Sequence, residues 1–303
     1  MTEQGQWFRR RGTIGRDGWE SVVDSEMPGW AHTGLRIGAL AAGESLALAD
    51  VGVEQIIVPL AGSFTVRHTA HGATSETMLA GRRSVFDGPS DVLYLSSAAS
   101  AVITGIGRVA VASAPTAVAH PTRHILAAET PIELRGAGAS SRQVHNFGTP
   151  EALDAERLIV CEVITPAGNW SSYPPHKHDE NVPGQESRLE EIYYFEAAPA
   201  RTGGDPDAVE AAFGMFATYS SVAGEIDIAE RVRTGDIALV PFGFHGPAVA
   251  APGYDLYYLN VMAGPDPERA WLITDDPAHA WVRDSWSGQE IDSRLPYRAE
   301  GDL

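Results

Sequence analysis

Tyr173-Pro174-Pro175-His176-Lys177-His178-Asp179, followed by Leu189-Glu190-Glu191-Ile192-Tyr193 and then Pro241-Phe242-Gly243-Phe244-His245, is the stretch that decides the fold. In an extended strand residues i and i+2 share a face, so His176 and His178 point one way and Lys177 the other. Two imidazoles on one strand face begin a metal site, and a carboxylate and a third imidazole from neighbouring strands complete it. Three His and one Glu form an N/O set suited to Mn, Fe, Co, Ni or Zn, with coordination positions left for substrate or water. Pro174 and Pro175 remove two backbone donors and stiffen the approach to the first ligand.

Working outward, short apolar runs recur between turn formers. They include Glu54-Gln55-Ile56-Ile57-Val58, Val92-Leu93-Tyr94-Leu95, Leu158-Ile159-Val160-Cys161-Glu162-Val163, Ile192-Tyr193-Tyr194-Phe195 and Ile237-Ala238-Leu239-Val240. Their β-branched and aromatic content reads as closely spaced strands. Helical periodicity is scarce, with Ala208 to Phe213 as one short turn or helix. The fold class expected is all-β, sandwich or barrel. A weak internal repeat adds to this: each half has a Glu leading an apolar strand, Val53-Glu54-Gln55-Ile56-Ile57-Val58 and Glu190-Glu191-Ile192-Tyr193-Tyr194, and Gly88-Pro89-Ser90-Asp91-Val92 echoes Gly235-Asp236-Ile237. Aligning Asp91 with Asp236 sets Ser100 opposite His245. Two copies of one β module, joined around residues 115–145, are expected.

Composition bounds the function. The 303 residues carry 40 Asp and Glu against 22 Lys and Arg, a formal net charge of −18, and Lys177 is the only lysine. No basic stripe exists to neutralise phosphates, which argues against nucleic acid and anionic membranes as partners. The single cysteine, Cys161, excludes an intrachain disulfide and a Cys-based zinc site. The first fifteen residues lack the apolar segment of a secretion signal, and no run approaches the roughly 18 apolar residues that span a bilayer. A cytoplasmic protein is expected, as is a homo-oligomer.

The His-x-His…Glu…His order resembles the cupin pattern, and the flanking residues resemble the 5-deoxy-glucuronate isomerase family of myo-inositol catabolism. The resemblance rests on Gly168-Asn169-Trp170-Ser171-Ser172-Tyr173-Pro174-Pro175-His176-Lys177-His178-Asp179, on Glu190-Glu191-Ile192-Tyr193-Tyr194, and on Gly253 through Pro265. It continues through Ser141-Arg142 and Arg269-Ala270-Trp271, and is loose over the first half. It implies a bicupin of two double-stranded β-helix barrels: residues 1–135 as a degenerate barrel without metal, and residues 136–303 as the metal-binding one. It further implies one divalent metal per chain on His176, His178, Glu191 and His245, and isomerisation of an aldose sugar acid to its keto acid. Two departures stand out: the thirteen-residue step from His178 to Glu191 is longer than usual, and Gly246 follows His245 where the family more often has Pro. In the first half, counting back from Glu54 reaches Ala47 and Ala49, and Ser100 stands where His245 would be.

Aldose–ketose isomerisation needs a Lewis acid for the developing oxyanion and a group to move a proton. Glu190, Asp255, Tyr257 and Tyr258 are candidates for the latter. Arg142 and Arg269 are candidates for gripping the substrate carboxylate, and the hydroxyls of Tyr193 and Tyr257 for facing the substrate. Tyr193, Tyr257, Tyr258 and Trp170 also suit plain barrel packing. Strand alternation turns Lys177 away from the metal toward an ion-paired or solvated role. Asp179 and Glu190 are either partners that orient imidazoles or surface acids. Of the seven other histidines, His145 could approach the site, and His68 and His71 lie in a loop-like, solvated stretch. Other metal cupins, a different uronate isomerase or an Fe-dependent dioxygenase, use the same ligands, and a non-catalytic sugar-binding cupin is the rival of another class.

Overall fold

A computed structural model describes residues 3–49 and 51–298. The strands pair antiparallel throughout and fall into two barrels. In the first, an eight-stranded sheet runs Ser21–Val23, Gly34–Leu40, Ala99–Pro115, Val53–Ala70, Val92–Leu95, Arg123–Ile125, with Ser45–Leu48 and Ala73–Arg82 paired beside the long strands. In the second, a seven-stranded sheet runs Phe8–Arg9, Ile237–Val240, Glu190–Pro199, Tyr254–Ala263, Ile159–Thr165, Arg142–Gly148, Ile132–Arg135. It faces a six-stranded sheet built on Gly224–Val232, Gly214–Ser221, Phe244–Ala250, His176–Lys177 and Thr274–Asp275. The chain is thus nearly all-β, built of two such barrels. Phe8–Arg9 and Ile132–Arg135, from the first 135 residues, are hydrogen-bonded into the second barrel's sheet.

Each apolar run read from the sequence lies within a strand, save Leu158, which precedes the strand Ile159–Thr165, and the reason is burial on both faces. Ile56 and Val58 pack toward the second barrel together with Val160 and Ile192, while Ile57 packs inside the first barrel against Phe64, Leu79 and Leu93. Two-sided burial favours continuous β-branched runs over strict alternation. Residues 208–213 form only a 3-10 turn at Val209–Ala211. His68 departs from the solvated loop expected of it: it lies in the strand Val53–Ala70, buried, with Nε2 3.2 Å from Thr77 Oγ1. It shares the inward face of Phe64 and Val66, which a short reading of the polar segment could not distinguish. His71 is in the exposed turn that follows. No helix among the described residues is long and apolar enough to cross a membrane.

The two barrels are not equivalent inside. The strand registers set Gln55, opposite Leu95, where the second barrel has Glu191, opposite Val240. Glu54, from which the ligand spacing is counted back in the sequence, therefore corresponds to Glu190 and not to Glu191. Gln55 is buried beside an interior filled by Ile57, Leu93 and Leu95, and its amide has no hydrogen-bond partner.

Candidate metal centre and cavity

The second barrel brings three of the four expected ligands together. His176 lies opposite His245 in the antiparallel register of the six-stranded sheet, and Glu191 reaches them from the strand Glu190–Pro199. Ligand atoms of His178, Glu191 and His245 all lie within 4.8 Å of one another, and all three residues are buried. Glu191 Oε2 is 2.9 Å from His178 Nε2 and 3.0 Å from His245 Nε2. The His176 ring stands at the edge of the trio, 4.5 Å from the ring of His245. Gly246 permits this packing: its φ is +91°, and a Cβ there would lie 1.8 Å from the Ser172 carbonyl oxygen.

The tautomers are dictated by the outer hydrogen bonds. Nδ1 of His176 faces Pro174 O at 3.2 Å, Nδ1 of His178 faces Leu189 O at 3.1 Å, and Nδ1 of His245 faces Gly243 O at 3.2 Å. A carbonyl oxygen only accepts, so each Nδ1 carries a proton and each neutral ring presents an Nε2 lone pair. Two lone pairs and a carboxylate oxygen at these distances attract only with a positive charge between them. Without a metal a proton fills that role. Burial alone would lower the affinity of His178 for a proton, yet its contact with Glu191 raises it. Burial would likewise raise the Glu191 carboxyl, yet His178 and His245 hold it at about 2. His245 Nε2 is nonetheless buried without hydrogen-bond geometry to any partner. An orphaned nitrogen, two further imidazoles with the right tautomer and a carboxylate fit a divalent cation.

A second acidic group, Asp179, Glu180 and Glu186, is filled by Lys177. Its Nζ donates to the three carboxylates at 2.7, 2.6 and 2.8 Å. Burial would lower the lysine's affinity for its proton, but the carboxylates raise it well above the usual value. Asp179 also accepts a hydrogen bond from Gly243 N at 2.9 Å, and Gly243 O in turn accepts from His245. Asp179 and the His245 imidazole are thus both anchored to the backbone of Gly243.

A cavity of about 400 Å³ opens beside the cluster, within the range of small-molecule sites. His176, Glu191, Tyr193, Tyr258 and Arg142 line it. Ser172 Oγ joins the two tyrosine hydroxyls, 3.2 Å from Tyr193 and 3.1 Å from Tyr258, from a backbone at φ +46° that non-glycine residues rarely adopt. Burial pushes both phenols up, so each stays protonated near neutrality.

Four candidates for proton transfer or substrate contact are not among the lining residues, each for a visible reason. Glu190 points to the other face of its strand, where it accepts from the backbone N–H groups of Ala31, His32 and Thr33. Asp255 accepts from Ala167 N and Arg201 N at 2.9 and 3.1 Å. Tyr257, one residue from Tyr258, faces the first barrel and donates to Glu162 at 2.7 Å. Arg269 donates to three carbonyls, of Leu158, Leu153 and Gly148, at 2.9, 2.7 and 2.8 Å. His145 lies in the same inter-barrel layer, donating Nδ1–H to Glu162 at 2.6 Å while Nε2 accepts from Gln143 at 2.7 Å. Conversely Ser172, Asn260, Trp271 and Asp275 line the cavity and were not singled out for it. Asn260 had a signal: it is the one amide in the apolar run Leu256 to Met262.

Comparison with known proteins accords with this architecture. The chain is 38% identical over 271 residues to 5-deoxy-glucuronate isomerase of Geobacillus thermodenitrificans, covering 87% of this chain and 90% of that protein. It is 39% identical over 232 residues to the protein of the same name from Bacillus subtilis strain 168, covering 76% and 79%. The crystal structure of an IolB-like protein from Salmonella typhimurium LT2 superposes with a TM-score of 0.79 at 33% identity, over 91% of this chain and 98% of that one. Oxalate decarboxylase of Bacillus subtilis shares the fold, with a TM-score of 0.59 at 11% identity over 89% and 79%. With residues 8–282 matching its pattern, the chain belongs to the KduI/IolB family.

Proposed function

We propose that this chain is a metal-dependent aldose–ketose isomerase that converts 5-deoxy-glucuronate to 5-dehydro-2-deoxy-gluconate in inositol catabolism. His176, His178, Glu191 and His245 hold one divalent transition metal, Mn, Fe, Co, Ni or Zn, in a C-terminal barrel spanning residues 136–303. The N-terminal barrel, within residues 1–135, is structural, apart from Phe8–Arg9 and Ile132–Arg135, which join the second barrel's sheet. The observation that carries this reading is the convergence of imidazole lone pairs and one carboxylate beside a cavity, in a chain 38% identical to a protein named for this reaction. A cytoplasmic homo-oligomer is part of the same proposal, its size to be measured by light scattering.

When bound, such a cation supplies Lewis-acid stabilisation of the oxyanion formed as a C–H beside the carbonyl is lost. The chain's own residues supply the rest. Tyr193 and Tyr258 stay protonated and Ser172 Oγ links them. Ser172 has a single proton, so one phenol donates to it and the other is left to donate into the cavity, and a proton can be handed between the two hydroxyls. Tyr258, held protonated, faces the substrate space and can give a proton to the developing oxyanion. The proton leaving carbon would go to Asp275, the lining carboxylate that is not a candidate ligand, since Glu190 and Asp255 are committed to backbone amides. Val144 and Val163 form the apolar wall that limits water there.

The test is an NMR assay for conversion of 5-deoxy-glucuronate, with metal analysis of the same sample. His178→Ala is expected to lose both metal and turnover while remaining folded. Full turnover by a chelated, metal-free sample would rule out the mechanism, and stoichiometric oxygen consumption would point to a dioxygenase instead.

A further inference from the structure

One end of the cavity is rich in N–H donors that have no acceptor. Across the seven-stranded sheet, the registers Tyr193↔Asn260, Cys161↔Asn260, Val163↔Tyr258, Val144↔Val163 and Arg142↔Arg135 put Glu191, Asn260 and Arg142 on one face. The strand of Glu191 and that of Arg142 are three inter-strand steps apart, about 14 Å at about 4.8 Å per step. That span suits a six-carbon acyclic acid held between a cation and a guanidinium.

Three arginines line the cavity. Arg135 is bound to Glu133 at 2.8 and 2.7 Å, and Arg283 is bound by both nitrogens to Asp275. Arg142 has no carboxylate: among the described residues its acceptor is Ser140 O at 3.0 Å, and its guanidinium lies 5.4 Å from the centre of the Trp286 ring. It is 5% exposed. Burial lowers its pKa to about 10, so it remains a cation at neutral pH. A buried guanidinium without an anion is costly. Asn260 Nδ2 and Trp271 Nε1, both lining the same cavity, are buried without an acceptor. Native structures seldom leave such groups unpaired, so each calls for a ligand that accepts.

We propose that this end of the cavity is the substrate-carboxylate subsite. Arg142 takes the carboxylate through two parallel N–H···O bonds, Asn260 and Trp271 donate to oxygens along the chain, and the aldehyde end is left beside His176 and Glu191. The assignment rests on the isomerase reading for its substrate and fixes which end of that substrate meets the metal ligands. It also makes Arg142 the residue that separates sugar acids from neutral sugars, because the neutral counterpart leaves the guanidinium unpaired.

The test compares 5-deoxy-glucuronate with neutral 5-deoxy-glucose, and calorimetric binding of D-gluconate with that of D-glucitol. Wild-type protein should bind gluconate at least about tenfold more tightly than glucitol. Arg142→Gln should abolish that difference, raise KM for the acid more than it lowers kcat, and keep its metal; Arg142→Lys should restore part of the preference. Equal losses on acid and neutral sugar, or no acid preference in the wild type, would overturn the assignment. If Arg142→Gln fails to fold, Arg142→Lys carries the comparison, and a wild type without acid preference still overturns the assignment. Gluconate binding that depends on Arg142 without any turnover of 5-deoxy-glucuronate would sustain the subsite and defeat the isomerase reading.

Discussion

Glu191 Oε2 is the atom shared by His178 and His245, so the candidate centre depends on one carboxylate oxygen more than on any single ring. Glu191→Gln keeps the volume but removes the charge and places an amide where lone pairs converge. Metal affinity is expected to fall by at least about tenfold, the scale on which even outer partners of a metal ligand act. Metal analysis after dialysis checks it, with Glu190→Gln as the control that retains metal. The adjacent lysine has a structural role of similar weight. Lys177→Met leaves the buried carboxylates of Asp179 and Glu186 uncompensated and should destabilise the fold by about 3 kcal/mol, read from denaturant melts. Strand alternation alone turned Lys177 away from the ligands; that it would be caged by three acids was not legible, because Glu186 comes from a hairpin whose return path no local pattern encodes.

At the scale of elements, the repeat has a physical consequence. Glu54 accepts hydrogen bonds from Glu156, Arg157 and Leu158 N–H at 2.9, 2.6 and 2.7 Å, and from Tyr94 OH. Glu190, at the corresponding position of the second barrel, accepts from residues 31–33 of the first. Each barrel thus caps a loop from the other half of the chain with one buried carboxylate. Glu54→Gln and Glu190→Gln should each cost about 1–3 kcal/mol in thermal or denaturant unfolding, the price of poorly satisfied buried amides. Neither should change metal content, since both side chains leave the opposite face of the strand from Gln55 and Glu191. Alternation places both rings of His-x-His on one strand, whereas the strand here is only His176–Lys177 and His178 follows it. The apolar runs were legible because burial is local. The loop caps, the φ of Ser172, and the addition of Phe8–Arg9 to the second barrel's sheet were not, since each depends on a partner far along the chain.

Over the whole molecule, the two barrels meet through a buried ionic layer set in apolar packing. Arg82 of the first barrel binds Glu162 of the second through two nitrogens at 2.7 and 2.6 Å, and His145 and Tyr257 donate to the same carboxylate. Burial would raise the Glu162 carboxyl, but Arg82 and the donated bonds outweigh it and hold it at about 2, against 4.5 for the free side chain. The sign follows from linkage: a carboxylate depressed on folding stabilises the protein above its unfolded value, and that contribution is lost as pH falls through the folded one. Stability should therefore decline from about pH 4.5 toward pH 2. Glu162→Gln should lower the melting temperature at pH 7 and flatten its fall over that window. Arg82→Met strands the Glu162 carboxylate and Glu162→Gln strands the Arg82 guanidinium, so both should be strongly destabilising at pH 7. Thermal unfolding of the three proteins between pH 2 and pH 7 measures all of this. Parallel curves for wild type and Glu162→Gln would place the acid sensitivity elsewhere among the 40 carboxylates, and the inter-barrel pair would then hold the halves together by shape and hydrogen bonds more than by charge.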